Sequence, residues 1–167
     1  MYSRQTTGYL NRESGQNFEE YISLSLCWYE KNGLAVIEKT PEPMRPLSRL
    51  DNGRFIACYE AKAQPDYKGT IKGGRSVVFE AKYTSGMRMA QQRVTDRQAE
   101  RLDRHEHMGA VCFVLVGFGD NSVYRIPWHE WKRMEEVYGK KSIAPMDIQK
   151  RRVDAGGVLK LLDGIVE

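Results

Sequence analysis

Two short polar segments hold an aspartate, a glutamate and a lysine at a spacing that could support metal-assisted chemistry. The first is Gln64-Pro65-Asp66-Tyr67-Lys68-Gly69, and the second is Glu80-Ala81-Lys82, with Glu80 fourteen positions after Asp66. Side chains alternate along a β-strand, so Glu80 and Lys82 should project from one face and Ala81 from the other. A strand here would therefore present a carboxylate beside an amine.

A second carboxylate joins this pair if the strand that begins near Asp66 pairs with the strand that carries Glu80. Two carboxylates at one point are the oxygen ligands that Mg²⁺ or Mn²⁺ accepts while it retains waters. Such an ion lowers the pKa of a bound water and offsets charge on a phosphate under attack, and Lys82 would orient or help deprotonate that water. Strings of this form also arise by chance. The functional interpretation is favoured here because burying two charged side chains on the otherwise apolar strand Val77-Val78-Phe79 is costly.

Two further polar residues are predicted to face the same region. Glu19 shares a helical stripe with Ile22 and Leu26, at the margin of the buried face. Gln98 lies in line with Leu102 on a second predicted helix. Each could simply be a polar residue of an amphipathic helix, and the Asp66, Glu80 and Lys82 set favours the functional alternative.

The elements that must position these residues follow from periodicity and from Gly and Pro signals. Helices are predicted over 16–31, 88–107 and 128–138. Strands are predicted over 34–37, 55–59, 66–71, 75–82, 110–116 and 123–126. This order predicts an α/β fold with a mixed sheet flanked by helices, in one domain that spans residues 1–167.

A proline-rich, basic stretch from Thr40 to Asn52 interrupts this pattern. Pro41, Pro43 and Pro46 argue against regular helix and against most sheet pairing, so a protruding, partly extended arm is expected. The arm would carry Arg45 and Arg49 outward.

Composition excludes several classes of protein. The 167 residues suit a single domain, and 26 Lys and Arg against 22 Asp and Glu give a charge of +4, which mildly favours a polyanionic partner. Three widely spaced cysteines argue against a disulfide framework, and neither a signal peptide nor a membrane-spanning segment is recognised. A cytoplasmic protein with reduced thiols and no membrane association is expected.

Taken together, these motifs resemble a known family. The resemblance is carried by segments along nearly the whole chain: 17–22, 33–43, 66–69, 79–82, 97–98, 111–115 and 139–143. They are similar to RecU-type Holliday junction resolvases of Gram-positive bacteria and their phages, within the PD-(D/E)xK nucleases.

The resemblance implies a restriction-endonuclease-like core, a homodimer and Mg²⁺- or Mn²⁺-dependent nicking of two opposed strands of a four-way DNA junction, in the cytoplasm of a bacterial or phage-infected cell. By position, Asp66 and Glu80 would be metal ligands and Lys82 the catalytic lysine. Glu19 would be an accessory acid and Gln98 the helix glutamine near the cut phosphate. Residues 40–57 match the family's stalk, which enters the junction centre.

DNA contacts are assigned to Arg45 and Arg49 on the stalk, and to Arg88 and Arg97 on the second predicted helix. For the helix arginines, a solvated charged face is the alternative. Two other functions stay open: a less structure-selective nuclease of this fold that cuts flaps or acts like a restriction enzyme, and a non-catalytic DNA-binding accessory protein of recombination.

Overall fold

The computed structural model describes residues 4–41, 43–59 and 64–166. Glu42, which belongs to the predicted stalk, lies outside the described residues. The helices, in chain order, are α1 (Arg4–Lys31), α2 (Asp96–His107), α3 (Trp128–Lys132) and α4 (Met134–Tyr138). Across the described ranges, no helix has both the length and the apolar character required to cross a bilayer.

The fold is built on one five-stranded mixed sheet. Its strands run in the spatial order β1 (Ala35–Lys39), β4 (Tyr67–Ile71), β5 (Ser76–Thr84), β7 (Val111–Phe118) and β8 (Val123–Pro127). Strands β5 and β7 are parallel and joined by the α2 crossover, whereas the other neighbours are antiparallel. The predicted α/β class with a mixed sheet is confirmed.

Helices cover both faces of this sheet. Helix α1 packs on one face through residues at helical spacing, Phe18, Ile22, Leu26 and Tyr29, all of them buried. Helices α2 and α3 cover the other face, against Val78 and the alternate residues of β7. On the α1 face, stacked rings tie the central strands together, with 4.7 Å between the centroids of Tyr67 and Phe79 and 4.6 Å between those of Phe79 and Phe113.

The C-terminal segment, for which no structure was predicted, completes the core under α1. Leu159, Leu161 and Leu162 are fully buried. The amide of Leu159 donates to the Ser25 hydroxyl at 2.8 Å, and that of Leu162 donates to the Tyr29 hydroxyl at 3.0 Å. These bonds explain how α1 tolerates polar groups on its buried side.

The second helix begins later than predicted. Instead of starting at residue 88, α2 starts at Asp96, and the preceding residues form β6 (Met89–Ala90) and a 3₁₀ turn. Strand β6 pairs with β9 (Ser142–Ile143), so a contact distant in sequence overrides the helix propensity of this stretch.

The third predicted helix is two short helices. They meet at Arg133, whose φ of −104° and ψ of 29° leave the helical region and separate α3 from α4. The break turns the chain so that both Trp131 and Met134 are buried.

The proline-rich arm is a β-hairpin, which corrects the expectation that its prolines would prevent most sheet pairing. Strands β2 (Met44–Arg49) and β3 (Phe55–Tyr59) form a two-stranded sheet separate from the main one. The register shifts between Pro46 and Ser48. A bulge in an edge ribbon accommodates a proline because the missing N–H interrupts the ladder least there.

Candidate active site

Glu80 and Lys82 lie on the same face of β5, as the strand alternation predicted. The side chain of Glu80 is fully buried, and Lys82 is 13% exposed. The ammonium of Lys82 donates to Glu80 Oε2 at 2.8 Å, whereas Glu80 Oε1 is buried without a hydrogen-bond partner. The buried carboxylate thus has one oxygen paired to a cation and one with unused acceptor capacity.

Asp66 immediately precedes β4 and reaches the same point, because β4 pairs with β5 and aligns Tyr67 with Phe79. Its Oδ2 accepts a hydrogen bond from the Ala81 amide at 3.1 Å and lies 3.5 Å from Lys82 Nζ. The ammonium of Lys82 therefore stands between two carboxylates and balances part of their charge.

Burial is the main influence on Glu80 and raises its pKa to about 8. The charge of Lys82 lowers this pKa, and the charge of Asp66 raises it. A further cation beside Glu80 would stabilise the charged form of this carboxyl group, because burial disfavours that form when no partner is present.

Gln98 connects the start of α2 to this carboxylate. Thr95 caps the helix, since its side-chain hydroxyl accepts a hydrogen bond from the backbone N–H of Gln98. In return, Gln98 Oε1 accepts from the backbone N–H of Thr95 at 3.1 Å. This reciprocal pair is a capping box. The other end of the same side-chain amide, Nε2, donates to Glu80 Oε2 at 2.5 Å. Gln98 is thus fixed by the cap and positions Glu80.

Glu19 lies next to the site but makes a different contact. Its half-exposed carboxylate accepts from Lys39 Nζ at 2.6 Å, and it lines, with Asp66, a cleft of about 50 Å³. Burial raises the pKa of the Tyr67 hydroxyl, and the charges of Glu19 and Asp66 raise it further. Glu19 is therefore close enough to share the electrostatics of the site.

The four predicted DNA-contacting arginines are all exposed, and they occupy three places. Arg45 and Arg49 lie on the β2–β3 hairpin, where the Arg49 guanidinium stands 6.0 Å from the centre of the Phe55 ring. Arg88 precedes β6 and donates to the Ser142 hydroxyl at 3.2 Å. Arg97 lies in the first turn of α2.

Asp66 and Glu80 fit a hard divalent cation better than a zinc ion. Within the described ranges, no group of three or more His, Cys, Asp or Glu side chains is arranged to hold a metal. Mg²⁺ is commonly bound through one or two carboxylates, with waters and substrate phosphates completing its shell. The unpartnered, buried Glu80 Oε1 is an acceptor of the kind that such an ion requires.

Two residues that contact the candidate site residues were missed from the sequence. Lys39 pairs with Glu19 across α1 and β1, a contact between elements that no local pattern signals. Thr95 could have been found, because Thr95-Asp96-Arg97-Gln98 matches the Ser/Thr-x-x-Glu/Gln signature of a helix start. That signature also corrects the start of α2.

Comparison with known proteins identifies relatives along most of the chain. A family model described as RecU, Recombination protein U, matches residues 13–165. A protein of Bacillus pumilus named Holliday junction resolvase RecU is 29% identical over 93% of this chain and 76% of its own length. A protein of Streptococcus gordonii with the same name is 28% identical over 97% of this chain and 75% of its own length.

A solved structure shares the architecture. It is Hjc of Archaeoglobus fulgidus, described as a Holliday junction resolvase, with a TM-score of 0.51 and 12% sequence identity. The match covers 85% of this chain and 92% of that chain. At this level of identity, the likeness concerns the fold alone.

Proposed function

The chain belongs to the RecU family, and from this premise we propose that it is a Holliday junction resolvase, a structure-specific endonuclease that nicks opposed strands of four-way DNA junctions in recombination and repair. Such a substrate implies that the enzyme works in the cytoplasm of a bacterial or phage-infected cell.

One observation carries the catalytic part of this proposal. Asp66, Glu80, Lys82 and Gln98 come from three separate parts of the fold, and their polar ends meet within hydrogen-bond or ion-pair distance. Burying a glutamate with an unpaired oxygen destabilises a fold, and such a residue is expected where chemistry requires it. This argues against the non-catalytic accessory protein.

We propose Asp66 and Glu80 as the protein ligands of Mg²⁺, which Mn²⁺ could replace. When bound, the ion would supply an activated water and charge neutralisation at the phosphate. Glu80 would offer its unpartnered Oε1. Glu19, across the cleft from Asp66, would serve as an accessory acid that adds negative charge beside the ligands.

Lys82 and Gln98 would act on the reacting groups and on their geometry. In hydrolysis, a water oxygen forms a bond to phosphorus while the bond to the leaving sugar oxygen breaks; the water loses a proton to solvent, and the leaving oxygen takes up a proton from solvent. Lys82, already placed 2.8 Å from Glu80 Oε2, would orient this water or help to deprotonate it. Gln98 would hold the Glu80 carboxylate in position and face the phosphate.

Nicking of two opposed strands requires two active sites. We propose a homodimer with two-fold symmetry, which would present two identical sites to symmetry-related strands. The β2–β3 hairpins would enter the junction centre with Arg45 and Arg49, and Arg88 and Arg97 would contact backbone phosphates nearer the cleavage site.

The test is a cleavage panel of duplex, flap, fork and four-way junction DNA of equal length. We expect paired nicks on the junction with Mg²⁺ or Mn²⁺ and none in EDTA. Ca²⁺ should support binding with little turnover, because its loose coordination positions water poorly. Equal cutting of flaps and junctions would favour the less selective nuclease, and full activity in EDTA would rule out the metal site.

The dimer has its own test. Sedimentation at micromolar concentration should give about twice the mass of the chain, and nicks on opposed strands should appear together. A monomer that makes uncoupled single nicks would contradict the symmetric arrangement.

A further inference from the structure

Three basic side chains lie close enough to influence one another electrostatically, on the sheet face that carries the active site. Lys68 is on β4, and Arg101 and His105 are on α2. Lys68 is exposed, whereas Arg101 and His105 are partly buried. We refer to these three residues as the basic cluster.

The packing of α2 brings these residues together. Leu102 of α2 and Val78 of β5 belong to the same buried core, so α2 lies over β5. Lys68 is the β4 partner of Val78, one strand to the side. Arg101 and His105 are four residues apart and therefore adjacent on the helix surface, on the side away from Asp103 and Glu106, which bond to α3.

Among the residues that the structure describes, the cluster has no anionic partner. Burial lowers the pKa of His105, and the positive charges of Lys68 and Arg101 lower it further. The Lys68 ammonium donates to the neutral amide of Gln64, and it forms no ion pair with Glu38, its cross-strand neighbour. Among the residues with described side chains, neither Arg101 nor His105 has an ion-pair partner.

The outward side of the same helix behaves differently. Arg104 is 63% exposed and pairs with Glu100 at 2.5 Å. An outward arginine is thus neutralised within the protein, whereas the charges of Lys68 and Arg101 act by repulsion on His105 and disfavour its protonated form. An external anion would relieve that repulsion.

The distance of the basic cluster from the active site indicates that the anion is a phosphate of the DNA backbone. Gln98, which holds Glu80, is three residues before Arg101 and seven before His105 on the same helix. Seven residues span about 10 Å of helix axis, which is about three base-pair steps of duplex DNA.

We infer that Lys68, Arg101 and His105 form a phosphate-binding site for the DNA backbone on one side of the cut, within about three nucleotides of the cleaved phosphate. This inference rests on the proposed function and adds a binding site that family membership alone does not assign. The site would fix the register of the strand over Asp66 and Glu80, since phosphate contacts position DNA without reading its sequence.

The experiment measures junction binding in EDTA between 50 and 200 mM salt for Lys68→Gln, Arg101→Gln and the double variant. Arg104→Gln, on the outward side of α2, is the matched control, and thermal melting checks that each variant is folded. The double variant should bind at least about tenfold more weakly near physiological salt. The slope of its log affinity against log salt concentration should be smaller in magnitude by about one to two. Arg104→Gln should match the wild type. Equal slopes for the double variant and Arg104→Gln would overturn the inference.

A second measurement locates the phosphate. Junctions that carry one uncharged methylphosphonate at a time are bound to the wild type and to the double variant. A phosphate within about three positions of the cut should weaken wild-type binding when it is neutralised and leave the double variant unchanged. If the same phosphates matter equally to both proteins, the basic cluster does not bind there. If particular junction phosphates matter only when Lys68 and Arg101 are intact but the wild type never cuts junctions, the proposed function would be refuted and the phosphate site would stand.

Discussion

Gln98 uses one side-chain amide for two purposes, since its Oε1 closes the cap of α2 on the Thr95 amide and its Nε2 donates to the buried Glu80 carboxylate at 2.5 Å. Helix stability and the geometry of the proposed ligand are thereby coupled through one residue. Mutations at Thr95 and Gln98 can separate the two effects.

Gln98→Ala and Thr95→Ala should have similar effects on stability and different effects on cleavage. Each removes part of the capping box, which we expect to reduce the free energy of unfolding by about 1 kcal/mol. Only Gln98→Ala also removes the donor to Glu80, so it alone should slow junction cleavage by about tenfold or more. Urea unfolding and single-turnover cleavage give the two quantities. Equal losses of cleavage in both variants would mean that Gln98 acts only through the helix.

Glu80→Gln should stabilise the metal-free protein, and the gain should grow with pH. The pKa of Glu80 is raised to about 8 in the folded state, chiefly by burial, against an ordinary value of 4.5. The folded protein therefore binds more protons than the unfolded chain between these values, so its stability falls as pH rises through that window. The variant lacks this penalty and should gain about 4 kcal/mol near pH 8 and little near pH 4.

Urea unfolding in EDTA from pH 4 to pH 9 measures this difference. Glu38→Gln, on the exposed face of β1, is the control and should follow the wild type. A Glu80→Gln variant that is less stable than the wild type at pH 8 would mean that the contacts of the charged carboxylate with Lys82 and Gln98 outweigh its burial.

Local patterns were sufficient where the burial of a strand follows from its own sequence. The alternation along β5 predicted correctly that Glu80 and Lys82 share a face, and the apolar run of β7 predicted a central strand. The start of α2 was wrong because residues 88–94 have good helix propensity, whereas their structure depends on β9, about fifty residues later. The hairpin was missed because Pro46 is compatible with a strand only at an edge or a bulge.

The complete burial of Glu80 could not be predicted from the sequence. It results from packing by β7 on one side and by Gln98 above, both of which are tertiary contacts. The pairing of Glu19 with Lys39 is of the same kind.

Lys82→Ala should abolish nicking and leave junction binding within about threefold of the wild type. Lys82 contacts Glu80 and Asp66, and it does not contact the exposed arginines that we propose as DNA contacts. Cleavage with Mg²⁺ and anisotropy in Ca²⁺ are measured on the same junction, with Lys72→Ala on an exposed turn as the control. Near wild-type cutting by Lys82→Ala would remove Lys82 from the proposed mechanism.

Replacing the β2–β3 hairpin should remove junction preference without removing the active site. The hairpin forms its own two-stranded sheet, and its apolar residues Met44, Leu47, Leu50, Phe55 and Ile56 are about half exposed, so no core depends on them. Both strands must be removed, because deletion of β2 alone would leave β3 without a partner. A Gly-Ser linker in place of residues 44–59 should weaken four-way junction binding by at least about tenfold and duplex binding much less.

Arg45→Gln with Arg49→Gln is the matched variant that keeps the hairpin and removes two of its charges. If the hairpin acts through phosphate contacts, this double variant should lose part of the junction affinity. The slope of its log affinity against log salt concentration should fall in magnitude by about one to two. If the hairpin acts by its shape, filling a cavity that linear duplex lacks, the double variant should retain most of the preference for junctions that the linker variant loses. Thermal melting and residual duplex binding verify that the core of the linker variant is intact. Full preference for four-way over linear DNA in the linker variant at physiological salt would make the arm irrelevant to selection, and the less selective nuclease would then describe the protein better.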